Sequence, residues 1–208
     1  MLSKEQIETN KCEFLKLINS IERNLELKPA LINFLETSDF FYAPASTKYH
    51  CGYAGGLCEH SLNVYRNLCK LVDEHYPNVY SKDTLAIVSL LHDLSKTNFY
   101  ELTTQNKKVK TISPSGQERY EWVSFDAFKV REVENRLLCG DHGFNSYLLI
   151  SQYFELNQEE ISAIINHHCG MDNNFMNKDL SYILNRFPLA TLLHLADMLS
   201  TYLNERIA

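Results

Sequence analysis

Several ionisable residues of this sequence stand inside strongly apolar segments with helical periodicity. They are His60 in LCEHSL, His92 and Asp93 in SLLHDL, and Asp197 in LLHLADML. Burying such groups costs free energy unless they are paired or bind a metal. A single histidine on an apolar helix is usually a core residue, but three such segments in one chain favour a shared site. Neutral imidazole together with carboxylate suits a divalent first-row metal.

The adjacent pair His92-Asp93 is the most informative of these segments. Neighbouring residues on a helix point about 100° apart, so they do not normally share one ligand face. Both can reach a metal if the end of the helix points at it, and the aspartate can then bridge two metals. The alternative is an aspartate that caps a loop beside a core histidine.

These residues, taken in order with their flanking segments, resemble the H…HD…D signature of the HD-domain metal-dependent phosphohydrolases. Residues 50–62, HCGYAGGLCEHSL, are similar to the HHxYxGGLLEHTL segment of HD-domain proteins such as certain bacterial 3′-to-5′ exoribonucleases. Residues 90–96, LLHDLSK, are similar to LLHDxxK, and residues 193–197, LHLAD, to LHxAD. The resemblance extends from about residue 50 to residue 200. It suggests a small stand-alone member of the kind found in bacteria and phages.

The resemblance also implies a set of metal ligands. His60, His92 and Asp197 would hold a first ion, and Asp93 would bridge it to a second. Many family members supply the second site with a histidine in a G-H or H-G segment and another in an H-x-G segment.

Two histidines of this chain match those two further segments. His142 in GDHG and His168 in HCG fit the places, although His142 could also be an ordinary loop histidine. His167 fits loosely. We favour His168, because it keeps the family's spacing to Gly170, and expect His167 to be a supporting or exposed residue.

Three more residues have roles implied by the matched segments. Lys96 follows Asp93 by three positions, so it falls near the same helix face and is expected to contact phosphate. His50 is expected to face the substrate and could act as a leaving-group acid. Glu59 could orient a ligand histidine through that ring's second N–H group. The alternatives are a solvated lysine, an ordinary loop histidine and a surface glutamate.

The chemistry expected of this site is hydrolysis of a phosphoester. A divalent ion lowers the pKa of a bound water from about 15.7 toward 7. The ion could be Mn, Fe, Co, Ni, Zn or Mg, and one or two could bind. The complete ligand set favours two, and hence a phosphodiesterase or nucleotide phosphohydrolase acting on a small phosphate ester, a nucleotide or a short oligonucleotide. The alternative is a non-catalytic HD module that binds a nucleotide and holds a structural metal.

Composition excludes several other classes of protein. The 208 residues carry 20 Lys and Arg against 26 Asp and Glu, a net charge of −6, which argues against a broad nucleic-acid-binding surface. No apolar run approaches the roughly 18 residues of a membrane span. The N-terminus shows no signal peptide. The six cysteines form no CxxC pair, so reduced thiols and a cytoplasmic location are expected, while the oligomeric state stays open.

The periodicity predicts an all-α HD-type helical bundle in one domain, residues 1–208, with a small β-hairpin insertion. The predicted helices cover residues 4–20, 28–37, 57–75, 82–96, 143–155, 157–168 and 187–206, and residues 38–56 are predicted to be a loop. Residues 98–123 are predicted to hold the hairpin, because β-branched and aromatic residues flank a polar stretch with Pro114 and Gly116. We expect Phe99, Tyr100, Tyr120, Trp122 and Phe125 to pack on the helical core rather than to stack on a base.

Overall fold

Helices form most of the chain in a computed structural model, which describes residues 1–47, 50–112, 117–169 and 180–205. The helices are α1 (Lys4–Ser20), α2 (Lys28–Thr37), α3 (Gly56–His75), α4 (Lys82–Leu91), α5 (His142–Ile150), α6 (Gln158–Ile165), α7 (Leu180–Arg186) and α8 (Pro188–Leu199). Strands β1 (Tyr100–Ile112) and β2 (Glu118–Val130) form an antiparallel hairpin between α4 and α5. The predicted all-α class with a hairpin insertion is therefore confirmed. No helix of the described ranges is both long and apolar enough to cross a membrane.

Local signals set where several helices begin. Ser3 and Gln6 form a capping box at α1, so two backbone N–H groups that lack helical partners are satisfied. Ser81, the predicted N-cap of α4, accepts from the backbone N–H of Thr84. Pro188 stands in the first turn of α8, where its missing N–H removes no hydrogen bond.

The core is built around α3, which packs against both α4 and α8. Fully buried residues from all three helices form one apolar cluster, including Leu62 and Leu68 of α3, Ile87 and Leu90 of α4, and Leu193 of α8. Because the histidine and aspartate segments lie on these same helices, packing the core brings their side chains together.

Some predicted boundaries differ from the structure. Helix α4 ends at Leu91 rather than at residue 96, and the chain continues in a 3₁₀ turn over Leu94–Lys96. Helices α5 and α6 end before residues 155 and 168, and α7 was not predicted. The last helix changes to a π-helix over Ser200–Asn204, and residue 206 lies outside the described residues.

The hairpin is longer and more exposed than predicted. Tyr120, Trp122 and Phe125 are 58%, 71% and 40% exposed, so the prediction that they pack on the core is wrong for these three, whereas Tyr100 is buried as predicted. Among the described residues of the two strands, the buried one is Tyr100, at the end of the hairpin nearest the helices. A regular strand rises about 3.4 Å per residue, so a ladder of this length carries its distal residues away from the helices. The turn residues Pro114 and Gly116 lie outside the described residues.

Candidate metal centre

Three helices bring the predicted first ligand group together. His60 lies near the start of α3, His92 and Asp93 directly follow α4, and Asp197 lies in α8. His60 Nε2 is 3.2 Å from Asp197 Oδ1 and 3.7 Å from Asp93 Oδ2, and His92 Nε2 is 3.3 Å from Asp93 Oδ2. All of these residues are buried.

The end of α4 explains how two consecutive residues reach one place. His92 keeps helical dihedral angles, and its Nδ1 bonds to the Ser89 carbonyl oxygen at 2.8 Å. Asp93 has left them, with φ −106° and ψ 20°, and the 3₁₀ turn begins after it. The helix therefore ends at the site, five residues before the predicted boundary at residue 96, and the two side chains converge there.

A second group of donors comes from α5 and from the segment after α6. His142 Nε2 is 3.8 Å from Asp93 Oδ1, and His167 Nε2 is 3.6 Å from the same oxygen. The two histidine Nε2 atoms are 3.2 Å apart. His168 Nε2 lies 3.6 Å from Asp197 Oδ2.

The placement of His167 corrects the sequence-based expectation. Its side chain is 1% exposed, whereas that of His168 is 32% exposed. Its Nδ1 bonds to the Ile164 carbonyl oxygen at 2.7 Å, which leaves Nε2 directed at Asp93. His194, which was not predicted, bonds through Nδ1 to the His167 carbonyl oxygen at 2.6 Å. Both His167 and His168 thus have donor atoms at the cluster, so His168 stays a candidate ligand and His167 joins it.

The two oxygens of Asp93 face different histidine groups. Oδ2 lies toward His60 and His92, and Oδ1 lies toward His142 and His167. Among the described residues, four overlapping sets have donor atoms within 4.8 Å of one another and could each hold a metal ion: His60, His92 and Asp197; His92, Asp93 and His167; His142, His167 and His168; and His50, His60 and Glu205.

Unsatisfied polar atoms test whether a metal fits this arrangement. Among the described residues, the buried side-chain atoms without a hydrogen-bond partner are His60 Nε2, His92 Nε2, Asp93 Oδ1 and Thr97 Oγ1. Three of these four atoms lie in the cluster. A buried unsatisfied group costs about 1–3 kcal/mol. A divalent cation would be coordinated by all three, so the donor set fits one.

Charge within the cluster sets the protonation of these groups. Burial lowers the pKa of His92, which favours the neutral ring that ligates a metal. Burial raises the pKa of Asp93, but Lys96 and His92 outweigh it and hold that pKa well below its usual range. Burial also lowers the pKa of His60, but Glu205 and Asp197 outweigh this and raise it to about 10.

Glu205 is a residue of the site that the sequence reasoning missed. Its carboxylate lies 3.0 Å from His60 Nδ1 and 2.7 Å from His50 Nδ1, and accepts from Asn63 Nδ2 at 3.0 Å. The only signal was an acidic residue shortly after a very apolar helix. Glu59, proposed from its position to orient His60, instead accepts from the Tyr53 hydroxyl at 2.7 Å.

The structure brings both remaining predicted residues to the cluster. Lys96 Nζ is 2.6 Å from Asp93 Oδ2, and its side chain is 13% exposed, so it is not a solvated surface lysine. The His50 ring lies 4.5 Å from that of His60, and Glu205 joins the two. His50 is therefore a buried neighbour of the ligand group rather than part of an exposed loop.

A comparison with protein families bears on this cluster. The model of the HD domain matches residues 57–202, most of the chain. The chain belongs to the HD-domain family. HD domains are generally metal-dependent hydrolases of the phosphohydrolase superfamily and bind divalent metals, which accords with the buried His and Asp groups. The HD match includes all the donors of the first three sets, whereas His50 and Glu205 of the fourth set lie outside it. No curated protein and no solved structure matches the chain.

Proposed function

We propose that this HD-domain protein is a metal-dependent phosphodiesterase acting on a small phosphodiester, a nucleotide or a short oligonucleotide. The observation that carries the proposal is that the two carboxylate oxygens of Asp93 face two different histidine groups. The buried acceptor Asp93 Oδ1 adds support, because it has no hydrogen-bond partner among the described residues and a cation would satisfy it.

The proposed ligands form two groups that share Asp93. His60, His92 and Asp197 belong to the first, and His142 and His167 belong to the second. His168 lies beside Asp197 on the more exposed side of the cluster. Divalent ions held there would activate water as a nucleophile and neutralise the phosphoryl oxygens.

Residues behind the ligands fix ring orientation. Because the carboxylate of Glu205 can only accept, the Nδ1 atom of His60 must be a donor, so Nε2 is the atom that faces the cluster and would ligate a metal once its proton is displaced. The carbonyl oxygens of Ser89 and Ile164 do the same for His92 and His167. All three rings are thereby prepared to ligate through Nε2 without reorientation.

Lys96 and His50 are the proposed residues for the substrate. Lys96 holds Asp93 through a charged hydrogen bond and places an ammonium group at the cluster, where a phosphate oxygen would be attracted. His50 donates Nδ1–H to Glu205, so its Nε2 is left to exchange a proton with a leaving group. Burial lowers the pKa of His50, with Glu205 opposing the shift.

The test is hydrolysis, in manganese-supplemented buffer, of a generic phosphodiester beside a panel of nucleoside monophosphates. Asp93→Ala is the blank, and Asp126→Ala, which changes an exposed aspartate on the hairpin, is the matched control. We expect preferential cleavage of the diester by the wild type and the control, and none by Asp93→Ala, with the helical circular dichroism of all three alike.

Two outcomes would contradict the proposal. Cleavage of monoesters alone would indicate a nucleotidase and would contradict the proposed phosphodiesterase activity. Turnover no higher than the blank on either set, together with a loss of thermal stability in Asp93→Ala, would favour a non-catalytic module with a structural metal.

A further inference from the structure

The hairpin presents open strand edges and apolar side chains to solvent. Its sheet has two strands within the described ranges, paired from Tyr100↔Val130 to Ile112↔Glu118. Leu102, Ile112 and Trp122 are 63%, 73% and 71% exposed. An isolated two-stranded hairpin is marginally stable in water, and further strands or a packed face are normally needed. This two-stranded ribbon, formed by β1 and β2, is therefore expected to be stabilised by a partner that adds strands or covers its apolar side chains.

The two edges of the ribbon differ in charge. The β1 edge carries Lys107, Lys108 and Lys110 in its distal half, and lysines on an edge strand discourage further pairing. The β2 edge has no such cluster. Its Glu121 and Lys129 have opposite charges and lie at equal distances on either side of Phe125. The β2 edge is thus the one able to accept another strand.

We propose that the β2 strands of two copies of this chain pair antiparallel about a twofold axis at Phe125, which creates a four-stranded sheet. In this register Val123 faces Ala127 of the other copy. Trp122 then faces Phe128, and Tyr120 faces Val130. Glu121 faces Lys129. Twofold symmetry repeats each contact.

Side-chain complementarity selects this register over its neighbours. Aromatic pairs and opposite charges directly across an antiparallel pair are stabilising, and like charges are destabilising. Moving the axis to Ser124 would set Arg119 against Lys129. Moving it to Asp126 would set two aspartates against each other.

The matched stretch also has a natural end. Beyond the Tyr120–Val130 contact, Arg119 would approach Arg131 of the other copy. Arg131 is past the end of β2, and its Nε donates to the Tyr100 carbonyl oxygen at 2.8 Å. It is therefore held against its own chain, and strand pairing stops before the two arginines meet.

A single-stranded nucleic acid is a less favourable occupant of this ribbon. Lys110 forms an ion pair with Glu118 at 2.5 Å, and Lys108 lies over the Tyr120 ring at 5.1 Å. Acidic residues Glu121 and Asp126 share β2 with the aromatics. The ribbon thus has mixed charge, which suits a copy of itself better than a polyanion. This proposal does not depend on the metal centre.

A charge exchange tests the register directly. Glu121→Lys would face Lys129 of an identical copy, and Lys129→Glu would face Glu121, so each variant repels itself. Mixed together, the two variants restore both opposite-charge contacts. Sedimentation velocity should show a wild-type dimer, a dimer about tenfold weaker or more in either variant alone, and recovery in the equimolar mixture. Lys107→Glu, on the β1 edge, is the control that should leave the dimer unchanged.

A crosslink covers the case in which Lys129→Glu disturbs the hairpin, because Lys129 also pairs with Glu101 at 2.9 Å. Residues directly opposite in antiparallel strands have Cα atoms about 4.5–5.5 Å apart, within reach of a disulfide. With the exposed Cys12 and Cys139 changed to serine, Phe125→Cys should form a covalent dimer on oxidation. Val109→Cys, similarly exposed on β1, should not.

Several results would overturn the proposal. A wild-type monomer at every concentration, with or without binding of a single-stranded oligonucleotide, would do so. A dimer that neither charge variant weakens would place the interface elsewhere. Equal crosslinking of Phe125→Cys and Val109→Cys would indicate random collision.

Discussion

Removing the carboxylate of Glu205 should weaken metal binding although Glu205 is not proposed to touch the metal. Its side chain is 2% exposed and serves His60, His50 and Asn63. Burial raises the pKa of Glu205, but His60 outweighs this and holds that pKa well below its usual range, so the group is a carboxylate. In Glu205→Ala the His60 ring loses the acceptor that fixes its Nδ1–H.

The size of the effect follows from these contacts. Partners of this kind behind ligand histidines typically contribute 10–100-fold to metal affinity, so we expect a loss of about that size. The metal-free protein should also lose about 2–6 kcal/mol of unfolding free energy. Two buried histidine N–H groups lose their acceptor, and each unsatisfied donor costs about 1–3 kcal/mol. Glu205→Gln should fall between, since an amide oxygen can accept but carries no charge.

The assay is calorimetric titration of metal-stripped protein with Mn²⁺, with urea unfolding in chelator as the stability readout. Glu59→Ala is the matched control, because that carboxylate binds the Tyr53 hydroxyl and no histidine. If a folded Glu205→Ala protein bound Mn²⁺ within about twofold of the wild type, the reasoning about His60 would be refuted.

Three further predictions concern other parts of the molecule. Burial raises the pKa of Glu160, but hydrogen bonds led by that from Arg23 outweigh it and lower the pKa. The stabilisation is therefore present above the ordinary glutamate pKa of about 4.3 and lost as pH falls through the folded-state value. Urea unfolding should show Glu160→Gln about 3 kcal/mol less stable than wild type at pH 7, a gap that narrows below about pH 4. Gly56→Ala should lower the melting temperature by several degrees or prevent folding, because its Cβ would lie 2.0 Å from the Cys51 carbonyl oxygen. His167→Ala should lower Mn²⁺ affinity, measured by calorimetry, more than His168→Ala does. An equal or smaller loss would contradict the proposal that the buried His167 is a ligand of the second ion.

Much of the architecture could be predicted from local patterns. The bounds of α1 and α2 agree with the prediction, and α1 begins with a capping box while α2 has a proline in its first turn. His60, His92 and Asp197 could be singled out because an ionisable group on an apolar helix needs a partner. The predicted helix over residues 82–96 placed the His92-Asp93 pair inside it, whereas α4 ends at Leu91, so the helix end that lets both side chains reach one place was stated only as a condition.

What could not be predicted depends on contacts distant in sequence. The inward orientation of His167 follows from where α6 ends and from the bond between His194 and its carbonyl oxygen. Glu205 reaches His60 across more than half of the chain. The aromatic residues of β2 have the same alternation whether a strand covers a core or extends into solvent, so Trp122 carried no signal of its exposure.

The most direct test of the metal centre is an anomalous difference map from crystals grown with Mn²⁺. We expect a peak bounded by His60, His92, Asp93 and Asp197, and a second on the other side of Asp93 near His167. A single peak at the first position would contradict the proposal that a second ion binds. A map with no peak in contact with Asp93 would contradict the claim that this cluster is a metal centre.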